Sequence, residues 1–138
     1  MKTFLADTNI FIRFFTADDK RKAKSVLNTL KKVEAKKVEL IITEAVFIEI
    51  IHILSSKKLY SLPRNQVKKL ILSILILDNI KMANKKFYLQ ALDYYESKNI
   101  DITDCILAVT SIQSNNTGVY SFDTDFDKIE DIARVEKI

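Results

Sequence analysis

The chain has 138 residues, 48% of them hydrophobic, and a net charge of +4, so we expect one folded domain over residues 1–138 and not a disordered chain. The chain has a single cysteine, Cys105, so we expect no internal disulfide. It has no signal-peptide pattern and no apolar run of the roughly 18 residues that a membrane span needs. We therefore expect a cytoplasmic protein with no membrane association. Gly118 is the only glycine, which excludes the glycine-rich phosphate loops of nucleotide-binding proteins and the GxSxG elbow of serine hydrolases.

Short apolar segments alternate with amphipathic ones along the chain. In chain order we expect a buried strand over residues 2–6, helices over 8–15 and 17–37, a strand over 38–42, helices over 44–58 and 62–78, a strand over 79–83, helices over 84–99 and 100–116, and strands over 118–123 and 133–138 on either side of a short turn. Strands that alternate with helices in this way are typical of an α/β fold with a mainly parallel sheet.

Polar residues just before several of these helices predict where the helices begin. Asp18 is the expected N-cap of the second helix, and Thr43 is the expected N-cap of the third. Ser61 is a candidate cap for the fourth helix, whose first turn holds the chain's only proline. Asp101 or Thr103 would cap the sixth helix.

Four acids lie in apolar surroundings, where an ionised carboxylate is costly unless a partner compensates it. Asp7 and Asp123 each end a predicted strand, Asp104 opens the apolar run of the sixth helix, and Glu49 interrupts the apolar third helix. Ligands of parallel α/β sheets bind at the carboxyl ends of the strands, so we expect these four acids to converge on one pocket. A hard divalent cation such as Mg²⁺ or Mn²⁺ would neutralise the cluster and promote phosphodiester cleavage.

Each of these acids also has an ordinary structural explanation that stays open at this point. Asp7 would cap a helix that begins at the next residue, Asp104 would be a first-turn acid that favours the helix dipole, and Asp123 would be a turn residue. Glu49 fits neither a cap nor a turn, although a buried ion pair would explain it. Glu44 is well explained as a first-turn acid and is left out of the ligand set.

Four segments of the chain resemble the motifs of PIN-domain nucleases. They cover residues 4–12, 41–54, 102–112 and 119–126. The family has an aspartate in an Asp-Thr-Asn context after the first strand, a helical glutamate before an apolar pair, an aspartate that opens a D-x-x-L-A helix, and a final Thr/Ser-x-Asp-x-x-Phe. The residues that match these motifs are Asp7 with Thr8 and Asn9, Glu49, Asp104, and Ser121 with Asp123 and Phe126.

The resemblance implies an α/β three-layer sandwich with a mainly parallel central sheet, as in PIN domains. It implies that Asp7, Glu49, Asp104 and Asp123 are the catalytic residues and hold Mg²⁺ or Mn²⁺. The neighbouring polar residues would support these carboxylates or a water molecule on the metal. They are Thr8, Asn9, Ser121 and Asp125.

The small size of the chain is similar to that of VapC-like toxins of toxin–antitoxin pairs. This resemblance implies an endoribonuclease that cleaves RNA, forms a homodimer and is inhibited by a cognate antitoxin. Two alternatives remain open: a PIN nuclease of RNA maturation that is not a toxin, and a catalytically idle PIN-like module that binds RNA or protein. A receiver-type phosphotransfer domain is disfavoured because Asp7 has no acidic neighbour.

Overall fold

The computed structural model of the protein describes residues 1–115 and 117–138. Two compact units are present, Met1–Lys85 and Lys86–Ile138, and each is described by itself. The prediction of one domain over the whole chain stays a prediction. Among the described residues, no helix combines the length and the apolar character that crossing a membrane requires.

The first unit alternates strands and helices, as its sequence predicts. Its elements are β1 (Lys2–Leu5), α1 (Thr8–Thr16), α2 (Lys20–Glu34), β2 (Val38–Ile41), α3 (Glu44–Ser55), α4 (Arg64–Leu75) and β3 (Ile80–Lys81). These strands form a parallel sheet in the order β1-β2-β3, with Leu5 opposite Ile41 and Ile41 opposite Lys81. The parallel α/β architecture is therefore confirmed.

The core of the first unit is built by helix faces with a regular apolar spacing. In α3 the buried residues are Phe47, Ile50, Ile51 and Leu54, which recur at the spacing of one helical face. Burying each such side chain stabilises the fold by about 1.5–3 kcal/mol. The face of α3 that carries Glu49 is thereby turned away from the core, and Glu49 itself is exposed.

Strand β1 is less buried than its apolar sequence predicts. All four of its residues are exposed, including Phe4 at 52% and Leu5 at 73%. The prediction of a buried strand is therefore wrong for β1. The strand order places β1 at the edge of the three-stranded sheet, and apolar composition alone does not reveal which faces and edges of a strand are covered.

The described residues of the second unit form helices, two short strands and a 3₁₀ helix. Its elements are α5 (Lys85–Lys98), which begins at the unit boundary, α6 (Ile102–Gln113), β4 (Val119–Tyr120), a 3₁₀ helix (Thr124–Lys128) and β5 (Arg134–Val135). Strands β4 and β5 pair in parallel. A Cβ atom on Gly118 would lie 3.2 Å from the carbonyl oxygen of Ala133, so the glycine permits this close approach. Residue 116, the end of the predicted sixth helix, lies outside the described residues.

The helix caps agree with the predictions in part. The Thr43 hydroxyl accepts a hydrogen bond from the Val46 N–H, so the predicted cap of α3 is confirmed. The predicted cap of α2 is wrong by one residue, because Asp19 and not Asp18 accepts from the backbone of the first turn.

The predicted start of α4 is also wrong. Ser61 adopts a left-handed conformation with φ of 51°, and Pro63 itself occupies the N-cap position, one residue before the helix. Since proline fixes only its own φ, it can precede a helix as readily as begin one. In α6 the N-cap position is occupied by Asp101, one of the two predicted caps.

Candidate metal centre

Three aspartates of the second unit lie close together and form what we call the acidic cluster: Asp104, Asp123 and Asp125. Asp104 is the third residue of α6, Asp123 directly precedes the 3₁₀ helix, and Asp125 is the second residue of that helix. One carboxylate oxygen of each residue lies within 4.8 Å of the others. Asp104 and Asp125 are half-buried, whereas Asp123 is exposed.

The electrostatics of the acidic cluster oppose the ionisation of Asp104. Burial, the charge of Asp123 and then the charges of Asp101 and Asp125 raise the pKa of Asp104, and a hydrogen bond between the Asp104 and Asp123 side chains adds to this effect. Burial and like charges both disfavour the carboxylate form. A bound cation would offset this repulsion and favour the ionised form of Asp104.

Backbone contacts hold two members of the acidic cluster in place. The N–H of Asp123 donates to the Ser121 hydroxyl oxygen at 3.0 Å, and the N–H of Asp125 donates to Asp123 Oδ1 at 2.8 Å. The ammonium group of Lys128 lies 3.0 Å from Asp125 Oδ1 and donates to the Asn99 carbonyl oxygen at 3.3 Å. Hydrogen bonds within the turn and the contacts of Lys128 therefore hold Asp123 and Asp125 in place.

The first unit contains the other two predicted acids, Asp7 and Glu49, and Thr8 contacts both. The N–H of Thr8 donates to Asp7 Oδ1 at 2.8 Å, and Asp7 is the N-cap of α1. This agrees with the ordinary explanation of Asp7 as a helix cap. The hydroxyl of Thr8 donates to Glu49 Oε2 at 3.1 Å. Thr8 is only 2% exposed, so it links two carboxylates from a fixed position.

The structure thus brings the predicted acids together in two groups, one in each unit. Asp104 and Asp123 lie in the acidic cluster, and Asp7 and Glu49 lie on either side of Thr8. The convergence of all four on one pocket stays a prediction. Asp125 was expected only beside the ligands, but it is a full member of the cluster.

The expected supporting residues differ in what they contact. The Thr8 hydroxyl donates to a carboxylate, whereas the hydroxyl oxygen of Ser121 accepts from the backbone N–H of Asp123. Asn9 is exposed in the first turn of α1. Sequence reasoning missed the cluster membership of Asp125, for which the spacing Asp-Thr-Asp after a strand was the available signal.

The donor set of the acidic cluster suits a hard cation. Carboxylate oxygens are the ligands that Mg²⁺ and Mn²⁺ prefer, whereas zinc and copper favour nitrogen and sulfur. Three carboxylates carry enough negative charge to hold a divalent ion that keeps several of its waters. The residues present therefore fit a magnesium or manganese centre.

Most of the chain matches a known family. Residues 4–132 match the model of the PIN domain, so the chain belongs to the PIN domain family, and the predicted family is confirmed. Members of this family are nucleases, and the chain is accordingly a PIN nuclease. Among curated proteins, none matches the chain. One solved structure, the crystal structure of VapBC2 from Rickettsia felis bound to a DNA fragment from their promoter, aligns over 98% of this chain and 98% of that chain, with 18% identity and a TM-score of 0.41.

Proposed function

We propose that the protein is a metal-dependent endoribonuclease in which Asp7, Glu49, Asp104 and Asp123 together hold Mg²⁺ or Mn²⁺. The acidic cluster in a chain of the PIN family is the observation that carries this proposal. Its carboxylates supply the oxygen ligands that such ions require. Asp125 lies within reach of the same ion and is a further candidate ligand.

In the proposed reaction, the residues of the chain hold carboxylate groups in position to bind a divalent cation. When bound, a divalent cation lowers the pKa of a water molecule and neutralises charge on the phosphate that is cleaved. Asp104 must be ionised to act as a ligand, so its raised pKa makes protons compete with the metal as the pH falls. The Thr8 hydroxyl orients the carboxylate of Glu49.

The choice of RNA and of a toxin role is supported by the sequence resemblance to VapC-like proteins. The net charge of +4 is compatible with a polyanionic substrate, because basic proteins attract phosphate backbones. We accordingly propose a homodimer that is inhibited by a cognate antitoxin. The single cysteine of the chain, Cys105, is buried, which suits the reducing cytoplasm in which we propose that the protein acts.

The proposal is tested by incubating a labelled single-stranded RNA with the purified protein and Mg²⁺, Mn²⁺ or EDTA. We expect cleavage with either metal and none with EDTA, since EDTA removes the divalent cation that the carboxylates would hold. An Asp7→Asn variant purified in the same way is the control for contaminating nucleases, and we expect it to be inactive. Equal cleavage by the variant would assign the activity to a contaminant.

The alternatives give different results in the same experiment. A catalytically idle module would bind RNA without cleaving it and would bind no Mn²⁺ in a calorimetric titration. A nuclease of RNA maturation would cleave with the same metals and would differ from a toxin in having no gene for an antitoxin beside its own. Cleavage with the metal bound therefore separates the enzyme from the binding module, and the genomic neighbourhood separates the two enzymes.

A substitution of Thr8 tests whether its hydroxyl serves the proposed site. Thr8→Val keeps the shape of a side chain that is 2% exposed but removes the hydrogen bond to Glu49 Oε2. We expect RNA cleavage at subsaturating Mg²⁺ to fall about ten-fold, because partners that orient a ligand typically contribute at least this much to metal affinity. Thr8→Ser keeps the hydroxyl and is expected to retain most of the activity. Equal rates for both variants would contradict an orienting role.

A further inference from the structure

Arg134, at the start of β5, contacts both ends of the turn that carries two members of the acidic cluster. Its Nη1 donates to the Ser121 carbonyl oxygen at 3.2 Å, where the turn begins. Its Nε and Nη2 donate to Asp127 Oδ1 at 3.0 Å and Oδ2 at 3.2 Å, where the turn ends. Asp123 and Asp125 lie between these two anchors. The guanidinium group therefore spans the base of residues 121–127.

The geometry of these contacts is specific to arginine. The two parallel hydrogen bonds to Asp127 require the planar fork of a guanidinium group, and a third nitrogen–hydrogen direction reaches the backbone of Ser121. A further bond joins Nη1 to Glu136 Oε1 at 2.6 Å. A lysine ammonium group is a point charge on a flexible stem and cannot reproduce the fork.

Arg134 is partly shielded from solvent, which distinguishes it from the cation of an ordinary surface ion pair. Its side chain is 15% exposed, whereas those of Asp127 and Glu136 are 55% and 57% exposed. Two backbone hydrogen bonds lie on either side of Arg134 in the sequence. The N–H of Val119 donates to the Ala133 carbonyl oxygen at 2.8 Å, and the N–H of Ser121 donates to the Val135 carbonyl oxygen at 3.0 Å. The arginine thus extends the pairing of β4 and β5 into the turn beyond the strands.

We infer that Arg134 is a positioning residue of the metal centre, which holds both ends of residues 121–127 so that Asp123 and Asp125 stay within ligand distance of Asp104. This inference rests on the proposed function, since it assumes that the acidic cluster binds a cation. Arg134 contacts no member of the cluster in the hydrogen bonds described, and acts through Ser121 and Asp127.

The sign of the effect on metal affinity separates positioning from simple electrostatics. A cation near the cluster repels a bound metal ion, so removal of the Arg134 charge would by itself tighten metal binding. Loss of positioning would instead weaken it, because the carboxylates would no longer be held together for the ion. A purely structural role would lower the melting temperature and leave the metal affinity of the folded protein unchanged.

The experiment measures Mn²⁺ binding to the full chain by calorimetry and by the loss of the electron paramagnetic resonance signal of free Mn²⁺. For Arg134→Lys, which keeps the charge, and Arg134→Met, which removes it, we expect the Kd for Mn²⁺ to rise about ten-fold. Lys137→Met is the matched control for charge, since Lys137 is exposed three residues further on, and it should bind as the wild type does. Circular dichroism and melting temperatures verify that every variant is folded.

The remaining outcomes separate this inference from the proposed function. An unchanged or lower Kd in folded Arg134 variants would overturn the positioning role while leaving the metal centre intact. Failure of the wild type to bind Mn²⁺ would refute the metal centre itself, and the inference with it. If Arg134 acts through Asp127, the Kd of Asp127→Asn combined with Arg134→Met should be no higher than that of the worse single variant.

Discussion

Asp104→Asn is expected to lower the rate of RNA cleavage at saturating Mg²⁺ by about a thousand-fold, which corresponds to about 4 kcal/mol in the activation barrier. The amide keeps the size of the side chain but removes a negative charge from the acidic cluster. The neutral amide of asparagine is a weaker ligand for a hard divalent cation than the carboxylate that it replaces. The measurement is a single-turnover cleavage assay over a range of metal concentrations.

The matched control is Asp131→Asn, an exposed aspartate of the same unit that lies outside the acidic cluster. It changes the net charge by the same amount, and we expect its cleavage rate to stay within about two-fold of the wild type, as is usual for surface substitutions that contact no site. Comparable losses in both variants would mean that overall charge, and not ligation by Asp104, controls the activity.

Although we expect Asp104→Asn to lower the cleavage rate, we expect it to raise the stability of the metal-free protein. The pKa of Asp104 is raised in the folded state, so the folded state binds the proton more tightly than the unfolded chain. The stability that the protonated form provides is therefore present at acid pH and is lost as the pH rises through the raised pKa. At neutral pH, metal-free Asp104→Asn should melt at a higher temperature than the wild type, and Mn²⁺ should stabilise the wild type by preferential binding to the folded state.

Much of the fold was predictable because its signals are local. The cap of α3 at Thr43 is readable within one helical turn, and the apolar spacing of α3 is readable within about two turns. The exposure of Phe4 and Leu5 in β1 was not predictable, since it depends on which elements cover a strand and not on the strand's own sequence. Neighbouring candidates for one role are equally hard to separate, and for that reason Asp18 was predicted where Asp19 caps the helix.

Some residues of the candidate site were also predictable from local sequence, and others were not. Asp104 and Asp123 were identified from the sequence because acids beside apolar runs need an explanation. Asp125 lies in a polar turn where an acid is common, so its spacing from Asp123 was the one signal in the sequence, and the path of the backbone places it in the acidic cluster. Arg134 was invisible for a related reason: its partners Ser121 and Asp127 are 13 and 7 residues away, joined to it by a turn whose course no local pattern sets.

Phe126→Ala is expected to lower the free energy of unfolding by about 3–5 kcal/mol, as is typical when a buried aromatic ring is deleted. Phe126 is 1% exposed and lies in the 3₁₀ helix directly after Asp125. Since natural domains have total stabilities of about 5–15 kcal/mol, this loss is a large share of the whole. Urea denaturation followed by circular dichroism measures it.

Phe122→Ala supplies the matched control, because it makes the same change four residues earlier at a ring that is 74% exposed. We expect its unfolding free energy to change by at most about 0.5 kcal/mol. Similar losses in the two variants would contradict the assignment of Phe126 as the buried anchor of this turn.

The contrast between the two phenylalanines gives a physical reason for the aromatic residue in the motif Ser121-x-Asp123-x-x-Phe126. A short 3₁₀ helix has few hydrogen bonds of its own and cannot hold charged side chains against their mutual repulsion. The buried ring of Phe126, three residues after Asp123, holds the turn in place by packing in the core. The hydrogen bond from the Asp123 N–H to the Ser121 hydroxyl oxygen also holds the turn. Phe126→Leu, which retains an apolar anchor, should therefore keep more of the Mn²⁺ affinity than Phe126→Ala at a temperature where both are folded.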